Sequence, residues 1–291
     1  MRASRLPGGR LHLADGPIDL IIKADAEASA VEAAYAAAAL RVEGLLAELV
    51  AELPLLRTRI GAEFPALRGA VARRMAQAAF PYRQRFVTPM VAVAGAVAEA
   101  VLDAMAAAAP LERAFVNNGG DIALHLSAAA HLDLGVMRLP EEPEPQAFMR
   151  IEGASGIRGV ATSGRHGRSF SLGIADAVTV LARRAADADA AATMIANAVD
   201  VGDVAIERRP ARQLDPDSDL LDIPVTVAVG ALAPAKIGLA LAAGRREAEA
   251  LIAAGRIAGA LISLAGQWES VGDGSLRLSP GSRGGAAEAA W

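Results

Sequence analysis

The chain has 291 residues, enough for one large domain or two modest ones with a sizeable hydrophobic core. Its formal net charge of −4 gives no electrostatic basis for binding nucleic acid, which normally requires a basic surface. There is no cysteine, which excludes disulfides, thiolate catalysis and thiolate metal sites.

The N-terminal sequence has neither the apolar stretch nor the small-residue cleavage site of a secretory signal. The most apolar run, Met90 to Ala98, is stopped by Glu99 well before the ~20 residues that a membrane span needs. We therefore expect a cytoplasmic protein with no membrane partner.

The first 110 residues predict a β-hairpin followed by three helices. Two β-rich runs flank the Asp-Gly pair in "HLADGPIDL", a strong hairpin signal. The pattern becomes helical from Ser29, which forms a capping-box pattern with Glu32, and Pro54 is expected to end this helix. Further helices are predicted over 65–79 and over 89–108, the second with a proline in its first turn.

After residue 110, strands and helices alternate. Strands are predicted over 113–127 (interrupted by a glycine turn), 131–139, 156–164, 168–174, 177–182, 224–232 and 259–268, and helices over 185–199 and 234–257. An acidic loop is expected over 140–147 and a disordered tail from Gly272. Hairpin-length turns join several strands, which predicts an α+β fold of largely antiparallel sheets packed with long Ala-rich helices.

A polar line runs along the predicted helix 185–199. Asp189, Thr193 and Asn197 are spaced i, i+4 and i+8, so they share one face of an otherwise apolar helix. A carboxylate and a hydroxyl one turn apart are hard oxygen ligands suited to Mg²⁺. The sequence leaves two interpretations open, a solvated stripe and the lining of a metal site.

Paired glycines interrupt the strands in "VNNGGDI". Gly119 and Gly120 permit positive φ and let a ligand approach the backbone, with Asn118 and Asp121 on either side. An ordinary hairpin turn explains the same residues, and both interpretations stay open.

Three stretches, "VNNGGDIAL", "GVATSG" and "AVTVLARRAADADAAAT", occur in an order that resembles the ApbE superfamily. In that superfamily such motifs build a site for a flavin nucleotide and Mg²⁺, and ApbE enzymes transfer FMN from FAD to a Thr or Ser of a partner protein. More closely, nearly the whole chain resembles the uncharacterised UPF0280 branch. The resemblance implies a single ApbE-like domain over 1–271, followed by a tail over 272–291.

The resemblance also implies roles for individual residues. Asp189 and Thr193 match the metal-binding pair. Gly119, Gly120 and Asp121 match the G-G-D motif, and Thr162, Ser163 and Gly164 match A-T-S-G. Together with Asn118, these residues are the predicted ligand- and phosphate-binding set. Two features depart from the family pattern: Ala94-Gly95 stands where ApbE enzymes have Lys-Gly, and the segment after Gly164 lacks D-P-x-T-G. These departures alter the catalytic neighbourhood relative to the family pattern.

The glycine-rich stretch "ATSGRHGR" is interpreted as the rim of an anion pocket. Arg165 and Arg168 would supply guanidinium groups that match phosphate oxygens. His166 and Asp176 are the predicted catalytic residues, because an imidazole can act as acid or base near neutral pH. An exposed loop histidine is the alternative for His166.

These observations favour a Mg²⁺-dependent enzyme of cofactor metabolism that acts on a flavin nucleotide, FAD or a related one, or on another phosphorylated substrate. The alternatives are a non-catalytic flavin- or nucleotide-binding protein and a dimeric scaffold with a degenerate site. The Ala-rich helix from Met90 to Ala109 is apolar on most faces, so it forms either the central core or half of an interface. We expect a homodimer.

Overall fold

The computed structural model of the protein describes residues 1–136, 147–272 and 279–280. The strands are β1 (Arg2–Leu6), β2 (Arg10–Asp15), β3 (Ile18–Asp25), β4 (Arg113–Asn118), β5 (Asp121–Leu126), β6 (His131–Val136), β7 (Ala147–Glu152), β8 (Gly159–Ser163), β9 (Ala177–Ala182), β10 (Ile206–Pro210), β11 (Pro224–Val229), β12 (Gly259–Leu264), β13 (Gln267–Gly272) and β14 (Ser279–Pro280). The helices are α1 (Ala28–Val42), α2 (Leu45–Val50), α3 (Leu53–Leu56), α4 (Ala70–Ala79), α5 (Val93–Ala108), α6 (Ala185–Ala198), α7 (Ala211–Leu214) and α8 (Pro234–Ala253).

Nine strands form one sheet in the order β1-β2-β3-β4-β5-β8-β9-β12-β13, and all neighbouring strands are antiparallel. A second sheet has the order β14-β7-β6, and β10 pairs with β11 in a separate hairpin. The predicted α+β class with antiparallel sheets is confirmed.

The main sheet has an apolar core on each face, because successive side chains of a strand point to opposite sides. On β8, Ala161 belongs to the large core beneath the helices, whereas Val160 belongs to the smaller core shared with β6 and β7. The helices therefore cover one face and the small sheet covers part of the other. Along β8, every second residue counted from Ala161 therefore points toward the helices.

Helix α5 is the central helix of the large core. The segment Pro89–Ala108 is long and apolar enough to cross a membrane by length and composition, and 56% of its most apolar part is buried in the structure. It packs against α1, α4, α6, β4 and β5. The central-core interpretation of this helix is confirmed, so its composition no longer supports the homodimer.

The N-terminal helical region differs from its prediction. The predicted helix over 29–53 breaks after α1, where Gly44 adopts φ +79° before α2 begins. The capping box does not form, because α1 begins at Ala28 and Glu32 instead pairs with Arg5. Pro54 does not end a helix but lies in the first turn of α3.

The C-terminal half also contains differences. The stretch 168–174 is a loop rather than a strand, and the predicted strand 259–268 is a hairpin of β12 and β13 around Ala265. Strands β1, β7, β10 and β14 were not predicted. The acidic loop lies almost entirely outside the described residues. Of the predicted tail, Gly272 belongs to β13 and Ser279–Pro280 pair with β7, and the rest lies outside the described residues.

Candidate functional site

A cavity of about 380 Å³ opens beside α6. Four segments enclose it: one face of α6, the chain from Phe86 to Ala94 that leads into α5, the loop 168–172 and the turn 215–220. Arg57 and Asp121 complete the lining. Four of the sequence-predicted site residues line this cavity, namely Asp121, Arg168, Asp189 and Thr193.

The polar line on α6 faces the cavity. Asp189, Thr193 and Asn197 all line it, while the alanines between them are buried. The four-residue spacing places one polar group on each successive turn of the same face. The polar line on α6 therefore forms part of the wall of a cavity.

Asp189 is held by the N-terminus of α5. Its Oδ2 accepts a hydrogen bond from the backbone N–H of Gly95 at 2.9 Å, and the N–H of Ala94 also donates to the carboxylate. The first N–H groups of a helix have no partner within the helix, and a carboxylate there is further favoured by the helix dipole. One edge of the carboxylate is thereby fixed in the cavity wall.

A second carboxylate, that of Asp121 at the start of β5, interacts with Asp189. Burial, followed by repulsion from Asp189, raises the pKa of Asp121 well above its usual range, although the backbone N–H of Thr162 opposes this by donating to it. Burial raises the pKa of Asp189 to about 7, against the lowering effect of its two backbone donors. Two neighbouring carboxylates removed from water require either a shared proton or a cation.

The donor set at this end of the cavity fits Mg²⁺. The described residues contain no group of three or more His, Cys, Asp or Glu that could hold a metal ion. However, Mg²⁺ in nucleotide sites is commonly held by only one or two carboxylates together with water and substrate phosphates. Asp121 and Asp189 supply two carboxylates, and the Thr193 hydroxyl adds a neutral oxygen.

Two arginines supply positive charge to the cavity. The side chains of Arg57 and Arg168 line it, and within the described part of the chain neither forms a hydrogen bond or an ion pair. Arg168 passes over the β4–β5 turn, where a Cβ on Gly119 would lie 3.1 Å from its Nη1. Gly119 and Gly120 have φ values of +67° and +106°, so they form the two-residue hairpin turn and also leave room for Arg168.

Arg165, predicted to contact phosphate, instead pairs with a carboxylate of the protein itself. Its Nε and Nη2 donate to Oδ1 of Asp176 at 2.9 and 2.7 Å. Oδ2 of Asp176 accepts from the backbone N–H of Ala265 at 2.6 Å, so this buried carboxylate fastens the loop after β8 to the β12–β13 turn. Neither residue lines the cavity, and both act as structural contacts.

His166 also lies outside the cavity lining. Its Nε2 is buried, has no hydrogen-bond partner among the described residues and lies 3.5 Å from Oδ1 of Asp176. The predicted catalytic pair is therefore close together but is not directed at the cavity. This placement removes the structural reason for assigning His166 and Asp176 a catalytic role.

The A-T-S-G residues support the site without lining it. Alternation along β8 places Thr162 on the face away from the helices, where its hydroxyl bonds that of Thr179 at 2.9 Å. Ser163 faces α6, and its Oγ accepts from the Thr193 hydroxyl at 3.3 Å. A Cβ on Gly164 would lie 2.4 Å from the carbonyl oxygen of Asp176, so glycine allows the loop to close there.

Asn118 has a structural role as well, since its Nδ2 donates to the carbonyl of Ala94 at 3.2 Å. It ties the β4–β5 turn to the start of α5, which carries the donors to Asp189. Asn118, Gly119 and Gly120 do not line the cavity, and of the predicted ligand and phosphate contacts only Asp121 and Arg168 do.

Several lining residues were not assigned from the sequence. They are Arg57 and the acidic turn with Asp215, Asp217 and Asp219. Thr88, just before α5, donates to the carboxylate of Asp219 and so ties this turn across the cavity. The sequence "DPDSD" indicates a polar turn, but it does not indicate that this turn contacts the segment before α5. The apolar part of the lining comprises Phe86, Val87, Met90, Val91, Val93, Phe170, Leu172, Met194 and Leu220.

A family model described as "AbpE bacteria" matches residues 3–270. A UPF0280 protein of Methanopyrus kandleri is 38% identical over 216 residues, which cover 72% of this chain and 83% of that protein. The chain belongs to the UPF0280 family. A second member, from Methanothrix thermoacetophila, is 39% identical over 130 residues, 44% of this chain and 52% of that protein.

Two solved flavin transferases also align with this UPF0280 chain. The Pseudomonas stutzeri flavinyl transferase ApbE in its apo form has 10% identity and a TM-score of 0.45, covering 94% of this chain and 95% of its own. The flavin transferase ApbE from Vibrio cholerae has 12% identity and a TM-score of 0.40, covering 94% and 98%.

Proposed function

We propose that this protein is a Mg²⁺-dependent enzyme of cofactor metabolism that binds a flavin nucleotide, or another phosphorylated substrate, in the cavity beside α6. One observation carries the proposal: the paired carboxylates of Asp121 and Asp189 share a cavity with the unpaired guanidinium of Arg168. The combination of a cation site and an anion contact suits a metal-bound phosphate. The flavin part of the proposal comes from the motif resemblance and the family.

Three residues of the cavity are assigned to the cation and two arginines to the phosphate. Asp121, Asp189 and Thr193 would hold the cation, and the cation would neutralise charge on phosphate oxygens. Arg168 and Arg57 donate hydrogen bonds to phosphate oxygens that the metal leaves free. The apolar lining receives the non-phosphate part of the ligand, in keeping with the mostly apolar walls of small-molecule sites. Asp121, first predicted as a phosphate contact, is reassigned to the metal because a carboxylate repels phosphate.

A second candidate, a binding protein without catalysis, is favoured by a specific observation. His166 and Asp176 lie outside the cavity, and its described lining contains no histidine or lysine. The remaining ionisable groups in the lining are carboxylates and arginines.

The experiment is a titration of the purified protein with FAD, FMN and inorganic pyrophosphate, each with and without Mg²⁺, followed by chromatography of the FAD mixture. We expect binding that requires Mg²⁺. Release of AMP from FAD, with cleavage of its phosphoanhydride bond, would identify an enzyme, whereas binding with intact FAD would identify the binding protein. If none of the three binds under either condition, the proposal fails and a scaffold with a degenerate site is left.

Two further predictions stay as proposals. We expect a homodimer, and light scattering at micromolar concentration that gives the monomer mass would contradict it. We also expect the protein in the cytoplasm, which cell fractionation with an antibody would test.

A further inference from the structure

The face of α6 presents a different hydrogen-bonding group to the cavity on each turn. When ionised, the Asp189 carboxylate accepts hydrogen bonds or binds a cation. The Thr193 hydroxyl donates a hydrogen bond to Ser163 Oγ, and its oxygen can still accept a hydrogen bond or bind a cation in the cavity that Thr193 lines. Asn197, eight residues after Asp189, lies about 12 Å further along the helix at 1.5 Å per residue.

The orientation of the Asn197 amide is fixed by the protein. Its Oδ1 lies 2.9 Å from the backbone N of Leu172, and a backbone N–H can only donate, so the oxygen must face it. Nδ2 is thereby turned the other way, and the described residues provide it with no partner. Asn197 lines the cavity, so this amide supplies a pre-oriented donor to a ligand.

One of the two cavity arginines, Arg168, lies at the other end. Arg168 lies against the β4–β5 turn, next to Asp121, and Asp121 interacts with Asp189. Around Asn197 the lining includes Met194, one turn earlier on α6, and Leu172, its own hydrogen-bond partner. A neutral donor among apolar side chains suits a neutral acceptor on a flat ring better than a phosphate.

We infer that Asn197 is a specificity-determining residue, whose Nδ2 donates a hydrogen bond to a carbonyl oxygen on the heterocyclic ring of the ligand. The inference deepens the proposed function and rests on it: the metal-bound phosphate lies near Asp189, and the ring lies two helical turns away. A site built around a directed hydrogen bond rejects ligands that lack the matching group.

The test uses Asn197→Asp and Asn197→Ala in the full chain. Asn197→Asp keeps an oxygen for the Leu172 N–H and removes both amide donors, whereas Asn197→Ala removes the oxygen as well. The probes are riboflavin, which has ring carbonyls and no phosphate, FMN, which has both, and pyrophosphate with Mg²⁺, which has no ring. Affinities are measured by flavin fluorescence and calorimetry, with melting temperatures measured in parallel.

We expect Asn197→Asp to weaken riboflavin and FMN about tenfold, as one lost hydrogen bond predicts, and to leave Mg²⁺-pyrophosphate binding within about twofold. Unchanged riboflavin and FMN affinities in this variant would overturn the inference, as would an equal loss of pyrophosphate binding. A wild-type protein that binds pyrophosphate but neither flavin would also overturn it, while leaving the phosphate site of the proposed function intact. If Asn197→Ala melts lower than Asn197→Asp, the difference measures the structural bond to Leu172.

Discussion

The carboxylate of Asp189 lies 2.9 Å from the backbone nitrogen of Gly95, and this contact joins α6 to the first turn of α5 at the charged end of the cavity. The same carboxylate is the predicted metal ligand. Asp189 therefore has two functions that a substitution must separate, acceptance of backbone hydrogen bonds and provision of negative charge.

Asp189→Asn separates them, because the asparagine oxygen can still accept from Gly95 while the charge is lost. Without metal at pH 8, we expect a melting temperature equal to or above that of wild type, since repulsion with Asp121 is removed. The stabilisation by Mg²⁺ seen in wild type should be abolished. Thr193→Val should reduce it less, as only a neutral ligand is lost.

Thermal shift with and without 10 mM Mg²⁺, ~100 times an assumed Kd of 0.1 mM, measures these effects. Asp187→Asn is the matched control, because Asp187 is on the same helix but does not line the cavity, and it should keep the response to metal. If Asp189→Asn melts far below wild type with or without Mg²⁺, the side chain is a structural acceptor and the metal site is refuted.

The carboxylate pair also predicts a pH dependence of stability. Asp189 has a folded pKa of about 7 against an ordinary value of 3.8, and the pKa of Asp121 is raised as well. The folded state therefore binds more protons than the unfolded state between these values, so the free energy of unfolding falls as pH rises from about 4 to about 7. The contribution is fully present below the ordinary carboxyl range and is lost above the folded pKa.

Urea unfolding in EDTA at pH 5 and pH 8 tests this. Wild type should lose more stability between the two values than Asp189→Asn, and Mg²⁺ at pH 8 should restore part of the loss to wild type only. An identical pH dependence in the two proteins would mean that the pair ionises as freely as ordinary carboxylates.

Local sequence patterns predicted the parts of the site that depend on nearby residues. The i, i+4, i+8 spacing placed Asp189, Thr193 and Asn197 on one face of α6, and the Gly119-Gly120 pair predicted the β4–β5 hairpin turn. Helix periodicity and positive φ are properties of a few consecutive residues, so a sequence can reveal them directly.

Contacts between distant segments could not be predicted in the same way. Thr88 and Asp219 meet across the cavity from positions 131 residues apart. Arg165 and Arg168 lie in one short glycine-rich stretch, yet only Arg165 pairs with Asp176. Which arginine reaches the buried carboxylate depends on how the loop folds against β12 and β13, and nothing local in the sequence encodes that.

The close packing of α5 on α6 gives a prediction about stability alone. A Cβ on Gly95 would lie 2.4 Å from the carbonyl oxygen of Ala185, so Gly95→Ala must move one helix away from the other. We expect a loss of about 1–3 kcal/mol in the free energy of unfolding. Gly238→Ala in α8 is the control: its Cβ meets nothing within 4 Å, and we expect a gain of about 0.5–1 kcal/mol from helix propensity. Denaturant unfolding of both variants would show opposite signs, and a neutral Gly95→Ala would contradict the tight crossing.

The two arginines of the loop after β8 should respond in opposite ways to the same substitution. Arg165→Ala leaves the buried Asp176 carboxylate without its paired donors, so we expect a loss of about 1–3 kcal/mol in the free energy of unfolding. Arg168→Ala removes an exposed, unpaired side chain and should change stability by no more than about 0.5 kcal/mol.

The effects of the two substitutions on FMN affinity should be the opposite of their effects on stability. Arg168→Ala should weaken the binding of FMN with Mg²⁺ by about 10–100-fold, because one charge-assisted contact is lost. Arg165→Ala, measured well below its melting temperature, should bind FMN nearly as wild type does. Calorimetry and denaturant unfolding on both variants decide the assignment, and an Arg168→Ala protein that binds normally would show that the phosphate contact lies elsewhere, with Arg57 as the next residue to replace.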